Sequence, residues 1–350
     1  MPATIRDVAA LAGVSAATVS RVLNGAPDVG ADYRDRVLAA VADLGYRPNG
    51  AARSLRTRAT AVLGIIISDI TNPFFTAMVR GAEDAAQRVG YSVILANTDE
   101  DLEKERQYLA VAAAEQVAGV ILSPASSTKT TIGELAERNI AVVTVDRRLP
   151  GAGLDSVTVN NYRAAREATT HLLEAGCQRV GIIAGLSRTT TGSRRLAGYK
   201  AALREAGVKP DPGLIASADF RVGGGYQATR SLLRRREPPD GLFIANNLMT
   251  VGALEALAEE GVQVPDDLAI VGFDDTAWST ALRPALTVVS QPTYELGQRA
   301  AELLLERVGG ASPPPRDITL QARLIVRGSS QRGNRQAPSG LTSALDGAAG

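Results

Sequence analysis

The chain has a single cysteine, Cys177, and a single histidine, His171, among 350 residues. One cysteine excludes an intrachain disulfide and a cysteine-clustered zinc site. One histidine excludes a Ser-His-Asp triad and a multi-histidine metal centre. Aromatics make up only 4% of the residues. No apolar run approaches the ~20 residues that a membrane-spanning helix needs. The stretch Ala61 to Ile67 has the length of a buried strand instead. Met1 to Leu11 carries Arg6 and Asp7 and lacks the apolar segment of a signal peptide. Basic and acidic residues nearly cancel, 38 against 37, which argues against a whole-chain polycation or an acidic solvating tail. What is there is 45% apolar residues, enough for the cores of two or three domains at this length. The counts point to a soluble cytoplasmic protein, and no metal, cofactor or catalytic role is expected of it.

The small excess of positive charge is uneven. Residues 1–60 hold eight arginines, no lysine and five aspartates, while the rest of the chain is slightly acidic. Thr4 and Asp7 have the spacing of a capping box. Ile5, Val8, Ala9 and Ala12 then repeat as one face of a helix. Gly13 ends it, and Val14 plugs the corner. Ser15 caps a second helix running through Asn24, in which Val19, Val22 and Leu23 share a face and Ala17, Ser20 and Arg21 lie opposite. A third helix, Asp32 to Leu44, is expected to bury Val37, Leu38, Val41 and Leu44. Two short helices joined by a glycine turn and followed by a third describe a helix-turn-helix module, whose second helix enters the major groove. Arg21 can donate a bidentate pair to guanine and Ala17 can pack on a thymine methyl. Ser15, Thr18 and Ser20 can bond phosphates or bases. By spacing alone, an ordinary three-helix surface fits equally well.

The segment Gly50-Ala51-Ala52-Arg53-Ser54-Leu55-Arg56-Thr57-Arg58 is short, helix-capable and basic, with one leucine among three arginines. It is too short to be stable alone. A leucine in that setting suits a wedge between base steps in a minor groove; a plain basic linker is the alternative.

Thr4-Ile5-Arg6-Asp7-Val8-Ala9, Val14-Ser15, Thr18 through Asn24 and Leu44-Gly45-Tyr46-Arg47-Pro48-Asn49 together resemble the DNA-binding head of the lactose-repressor (LacI/GalR) family. Ala52-Arg53-Ser54-Leu55 resembles its hinge helix. The resemblance implies that Leu55 is the intercalating leucine and that Ala16 and Ala17 occupy the positions that read different operators. It brings Thr4, Ser15, Thr18, Ser20, Arg21, Asn24, Asn49, Ala52 and Arg53 into the DNA-binding set. Gly30 departs from the serine-like cap expected before the third helix.

Residues 61–328 alternate strand and helix, with one restart near Tyr162. The expected strands are Val62–Ile67, Ser92–Ala96, Val120–Leu122, Ala141–Val145, Arg179–Ala184, Leu214–Ala218, Gly241–Ala245 and Leu268–Val271. Such alternation implies parallel sheets covered on both faces, here as two similar lobes, with ligands bound at the strand carboxyl ends. Those ends carry Ser68-Asp69, Asn72-Pro73-Phe74-Phe75, Val145-Asp146-Arg147, Asp219-Phe220, Ala245-Asn246-Asn247 and Phe273-Asp274-Asp275. Aromatic rings beside Asp, Asn and Arg read as a sugar-like or nucleoside-like pocket, although βα loops are polar in any case.

The same motifs, with Arg195-Leu196-Ala197-Gly198-Tyr199 and Gln291-Pro292, resemble the effector domain of that family, which is similar to periplasmic sugar-binding proteins. The implied fold is an all-α helix-turn-helix head followed by an α/β two-lobed, periplasmic-binding-protein-like (type I) effector domain with parallel sheets. By the resemblance Phe74 and Phe75 wall the cleft, Arg195, Asn246 and Asp274 hold polar groups of the effector, and Phe220 stacks on it. Asp69, Asp146, Asn160 and Thr191 complete the ligand set. Asn247 departs from the family's usual aspartate. The expected organisation is a head at 1–48, a hinge at 49–60, an effector-binding and dimerisation domain at 61–328, and a disordered tail at 329–350. The expected function is a ligand-responsive repressor, a homodimer on double-stranded operator DNA with no membrane partner. The alternatives are a solute-binding protein, or a cleft enzyme acting on a sugar or nucleoside. His171 is expected to cap or pack on a helix, and Cys177, at a strand entry, to be buried.

Overall fold

The computed structural model describes residues 3–23, 29–45 and 60–332. Asn24, Asn49, Ala52, Arg53, Leu55 and the stretch 333–350 lie outside the described residues. The chain divides into two compact units, Met1–Thr60 and Ala61–Gly350.

In the first unit α1 spans Ile5–Ala12. Its capping box is present: the Thr4 hydroxyl accepts from Asp7 N at 3.4 Å, and Thr4 N donates to Asp7 Oδ2 at 2.7 Å. Gly13 follows with φ of 64°, a region that glycine enters without a Cβ penalty. Helix α2 spans Ala16–Leu23, and Ser15 Oγ accepts from Thr18 N at 3.1 Å. Helix α3 spans Ala31–Asp43, and its start at Gly30 has no side-chain cap. Val8, Ala9 and Ala12 of α1, Val19 and Val22 of α2, and Val37 and Ala40 of α3 form the core, with Val14 packed against it. Leu38 and Leu44, expected inside, are exposed. Leu38 stands a sixth of a turn or more off the Val37–Ala40 stripe, and α3 ends before Leu44. Arg36 Nη2 donates to Ala12 O at 2.5 Å, tying α3 to the turn after α1.

The second unit runs β1 Val62–Ile67, α4 Pro73–Gln87, β2 Ser92–Asn97, α5 Leu102–Ala114, β3 Gly119–Leu122, α6 Gly133–Glu137, β4 Ala141–Val145 and β5 Asp155–Val159. It continues with α7 Asn161–Glu174, β6 Val180–Ala184, α8 Thr190–Glu205, β7 Ile215–Ser217, α9 Val222–Leu233, β8 Gly241–Ile244, α10 Asn247–Glu259 and β9 Ala269–Phe273. It closes with β10 Thr287–Ser290, α11 Thr293–Val308, β11 Asp317–Leu320 and β12 Arg323–Ile325. Two six-stranded sheets result, ordered β11-β5-β4-β3-β1-β2 and β12-β10-β9-β8-β6-β7. Their pairings are parallel except β10 with β12. Each sheet with its helices is one lobe.

The lobes are not consecutive in the chain. After β5 the chain passes to the second lobe at Asn160, returns at Gln291-Pro292, and crosses again at Gln321-Ala322. The alternation predicts two lobes but not this return. Helix α11 was not expected, although Leu296, Ala300, Leu303 and Leu304 form its buried stripe. Glycines let helix backbones meet: a Cβ on Gly297 would lie 1.8 Å from Met78 O of α4, and one on Gly252 would lie 1.9 Å from Val222 O of α9.

The second lobe continues past Gly328, where the sequence suggests a tail. Ser329 and Ser330 are buried. Ser329 Oγ accepts from Thr287 N at 2.8 Å and donates to Ile270 O at 2.9 Å. Ser330 Oγ lies 2.7 Å from His171 Nε2. Arg332 pairs with Asp240 at 3.0 Å. Cys177 is buried, and burial pushes its thiol up to about 11, so it is inert.

Candidate nucleic-acid interface and ligand cleft

The burial of Val19 and Val22 turns the other side of α2 outward. Ala16, Ala17 and Arg21 are exposed there, with Thr18 and Ser20 half-exposed beside them. Thr4 and Ser15 are also exposed, each engaged in a helix start. Among the described residues the expected DNA contacts therefore lie on α2 and on the two helix starts.

In the second unit the carboxyl ends of both sheets face one cleft, with about 440 Å³ of empty space, partly open to solvent. Asp69, Phe74, Phe75 and Asp146 line it from the first lobe, and Thr191, Arg195, Phe220, Asn246 and Asp274 from the second. Asn160 is not among them. Its Nδ2 donates to Gln321 Oε1 at 3.0 Å and its Oδ1 accepts from Ala322 N at 2.7 Å, so it joins two of the crossings between lobes. Asn72, Glu100, Arg147, Asp219, Arg221 and Gln291 also line the cleft. Of these, Asn72, Arg147 and Asp219 lie inside the strand-end motifs and Gln291 inside the Gln291-Pro292 motif of the resemblance; Glu100 and Arg221 carry no signal in the sequence.

The geometry follows from the fold. Phe74 and Phe75 begin α4, set by Asn72, whose Oδ1 accepts from Phe74 N at 2.9 Å; their rings meet edge to face at 5.1 Å. Arg147 grips Glu100 bidentately, at 2.7 and 2.5 Å. Its guanidinium lies 5.7 Å from the centre of the Phe220 ring. Arg195 donates to Asn161 Oδ1 at 2.7 Å and to Ala245 O at 2.6 Å, and lies 3.6 Å over Phe273. Asp274 accepts from Gln291 Nε2 at 2.5 Å. Asn246 caps α10 through Met249 N and donates to Phe220 O at 3.0 Å. Arg221 reaches from the second lobe to Asp69 at 3.6 Å in the first.

Seven non-glycine residues among those described have positive φ, and four of them, Glu100, Asp146, Phe220 and Asp274, line this cleft. Strain of that kind persists where the surroundings enforce it, and it concentrates at binding sites. Burial raises the Asp146 carboxyl to about 6 against the opposing pull of Arg147 and Arg195. Burial likewise raises Asp274, opposed by Arg195 and Gln291. Burial lowers Arg195 despite Asp274 and Asp146. Arg147 is disfavoured by burial but ends raised, because Glu100 outweighs it. Arg147 Nε and Gln291 Oε1 are buried without a hydrogen-bond partner; Arg147 Nε lies 3.4 Å from Asp146 Oδ2, so Gln291 Oε1 is the acceptor the wall leaves for a ligand. Among the described residues no group of three or more His, Cys, Asp or Glu is placed to hold a metal. No described helix is long and apolar enough to cross a membrane.

The chain is 38% identical over 330 residues to the ribose operon repressor of Halalkalibacterium halodurans, covering 94% of this chain and 98% of that one. Residues 4–49 match the family described as bacterial regulatory proteins, lacI family, and residues 169–330 match the periplasmic binding protein-like domain. The chain belongs to the LacI family. Among solved structures, the complex of the transcriptional regulator CelR with cellobiose is 33% identical, with a TM-score of 0.72 over 93% of this chain and 99% of that one. The lac repressor dimer bound to operator and the anti-inducer ONPF is 28% identical, with a TM-score of 0.83 over 94% and 99%. This LacI-family chain is a DNA-binding transcriptional regulator with a small-molecule effector domain.

Proposed function

We propose that this LacI-family regulator is a repressor whose operator affinity is set by a neutral monosaccharide held between its lobes. The observation that supports this most is the lining of the cleft: Asp69, Glu100, Asp146, Asp219 and Asp274 outnumber Arg147, Arg195 and Arg221, with Phe74, Phe75 and Phe220 as ring walls. Carboxylates and guanidinium groups bind vicinal hydroxyls bidentately and aromatic faces pack on sugar rings; the acidic excess disfavours an anion. The cellobiose complex and the ribose operon repressor among its relatives point to the same chemistry. Asp69, Phe74, Phe75, Asp146, Thr191, Arg195, Phe220, Asn246 and Asp274 are the ligand set of this reading, and Asn160 acts at the hinge between lobes.

Residues 1–48 read DNA through Thr4, Ser15, Ala16, Ala17, Thr18, Ser20, Arg21 and Asn24. Residues 49–60, with Asn49, Ala52, Arg53 and Leu55, form the hinge. Residues from 61 onward bind effector and pair two copies. One head reads a half-site, so a two-fold dimer on a near-palindromic operator is expected in the cytoplasm, as the operator-bound dimer of the lac repressor illustrates. The protein acts by binding rather than catalysis. Closing the lobes changes the spacing of the two hinges, and DNA and effector alter each other's affinity equally.

The test is a thermal-shift screen of sugars, sugar phosphates and nucleosides, followed by operator titration with each hit. A neutral sugar that raises the melting point and changes operator affinity supports the reading. Hits confined to nucleosides, or no preference for any genomic duplex over random DNA, would overturn it.

A further inference from the structure

Asp146 separates the effector cleft from a second cavity, which encloses about 1540 Å³ of empty space, part of it open solvent. Its floor is set by strand register. Thr144 of β4 pairs with Ser156 of β5, and Thr158 of β5 pairs with Thr319 of β11. Residues at alternate positions share a face of a sheet, so four hydroxyls from three neighbouring strands line one wall. The facing wall belongs to the other lobe and carries Arg194 of α8.

Two features leave groups available to a ligand. Thr158 is 5% exposed, lines the cavity, and makes no hydrogen bond through its hydroxyl. The other three hydroxyls are engaged: Thr144 with Asp155 O at 3.4 Å, Ser156 with Asp317, and Thr319 with Arg148 Nη2 at 3.3 Å. The Thr158 hydroxyl is open to the cavity and is left for a ligand. Arg194 is exposed at the rim and has no ion-pair partner among the described residues. Arg148 stands on the first-lobe side, 3.3 Å from Asp317. Hydroxyls below and guanidinium groups on both sides are the complement of a ligand with hydroxyls and a negative end.

We propose that this chain carries a second small-molecule site, lateral to the effector cleft, that takes a polyhydroxylated anion: a sugar phosphate or a sugar acid. The ligand's hydroxyls meet the Thr158 row, and its charged group meets Arg194 with Arg148. Both lobes contribute, so occupancy biases lobe closure and thereby effector affinity; this coupling rests on the effector reading above, whereas the site itself does not.

The test is calorimetric titration of the full chain with ribose 5-phosphate, ribonate and ribose. It compares the native protein with Arg194→Ala, Thr158→Val and Asp274→Asn. At least one anion is expected to bind the native protein and Asp274→Asn alike. Arg194→Ala is expected to weaken it about tenfold, the loss of one charge-assisted bond. Thr158→Val, which keeps the shape, is expected to weaken it about threefold. Binding of the phosphate alone or of the ribonate alone identifies the charged group. The proposal is overturned if neither anion binds, if binding is lost in Asp274→Asn, or if both Arg194→Ala and Thr158→Val leave it unchanged. Ribose reports the effector cleft separately: its failure to bind counts against the monosaccharide reading and leaves the anion result intact.

Discussion

Asn247 Nδ2 donates to Asn72 Oδ1 at 2.8 Å, and both side chains are buried. Asn72 caps α4 in the first lobe and Asn247 opens α10 in the second, so this bond spans the cleft. The family's usual aspartate at 247 has no hydrogen to give. It would set a carboxylate against an oxygen that already accepts from Phe74 N. Asn247→Asp is therefore expected to loosen lobe closure and weaken effector binding about tenfold, with little change in secondary structure. Calorimetry with the identified effector checks this; an unchanged affinity would show that the bond has no part in closure.

Asp274 accepts from Gln291 and from Asn247 N, and it feels the charge of Arg195 on the same lobe. Asp274→Ala is expected to abolish the effector's influence on operator affinity while operator binding in its absence persists. Fluorescence anisotropy on a labelled operator, with and without effector, reads both quantities. A normal response would remove Asp274 from the binding set.

The sequence made Phe74, Phe75, Asp146 and Asp274 legible because each follows the end of an apolar strand, and strand ends of a parallel sheet converge. Asn160 also follows a strand, but β11 inserts beyond β5, and the chain leaves the lobe at that point. Its amide is then spent on Gln321 and Ala322. Glu100 and Arg221 were illegible for the opposite reason. They sit in loops of unremarkable composition: the order of strands in the first sheet brings the loop after β2 to Arg147 after β4, and only the facing of two lobes gives Arg221 its reach to Asp69. The return of α11 and β11 to the first lobe is a long-range pairing that no local pattern encodes.

Asp146 makes a prediction about pH. Its carboxyl stands at about 6 in the folded chain against an ordinary 3.8. A raised carboxyl means that the folded state holds the proton more tightly. Its contribution to stability is full below about 3.8 and is lost as pH rises through about 6. Asp146→Asn is neutral throughout, while Arg147 keeps Glu100 as its partner. The variant is thus expected to gain on the native protein as pH rises from 4 to 7, by no more than about 3 kcal/mol, and the two should match near pH 3.5. Paired melting curves across that range test the sign; a native protein that gains relative to the variant with rising pH would refute it.

Arg21 lies on the exposed side of α2, opposite Val19 and Val22. If it reads a guanine, Arg21→Ala should cost about 1–3 kcal/mol of operator affinity and relax preference at one base position. A phosphate contact would instead weaken binding evenly across sequences and reduce its salt dependence. Selection of bound duplexes from a random pool, run with both proteins at two salt concentrations, distinguishes the two.

The close approach of helices gives the last expectation. A Cβ on Gly297 would lie 1.8 Å from Met78 O and 2.7 Å from its carbonyl carbon, both backbone atoms of α4. Neither can rotate away, so α11 and α4 must separate, and Leu296, Ala300 and Met78 lose contact with the core. Gly297→Ala is expected to destabilise the unit by about 1–3 kcal/mol, the range of overpacking. Gly223 lies in the first turn of α9, has no positive φ, and a Cβ there would meet nothing within 4 Å. Gly223→Ala restricts the unfolded chain without straining the folded one, so it is expected to stabilise by about 0.4–1 kcal/mol. The same substitution should thus shift the melting temperature in opposite directions at two helical glycines. Equal shifts would mean that backbone entropy, and not the approach of α4 to α11, governs both positions.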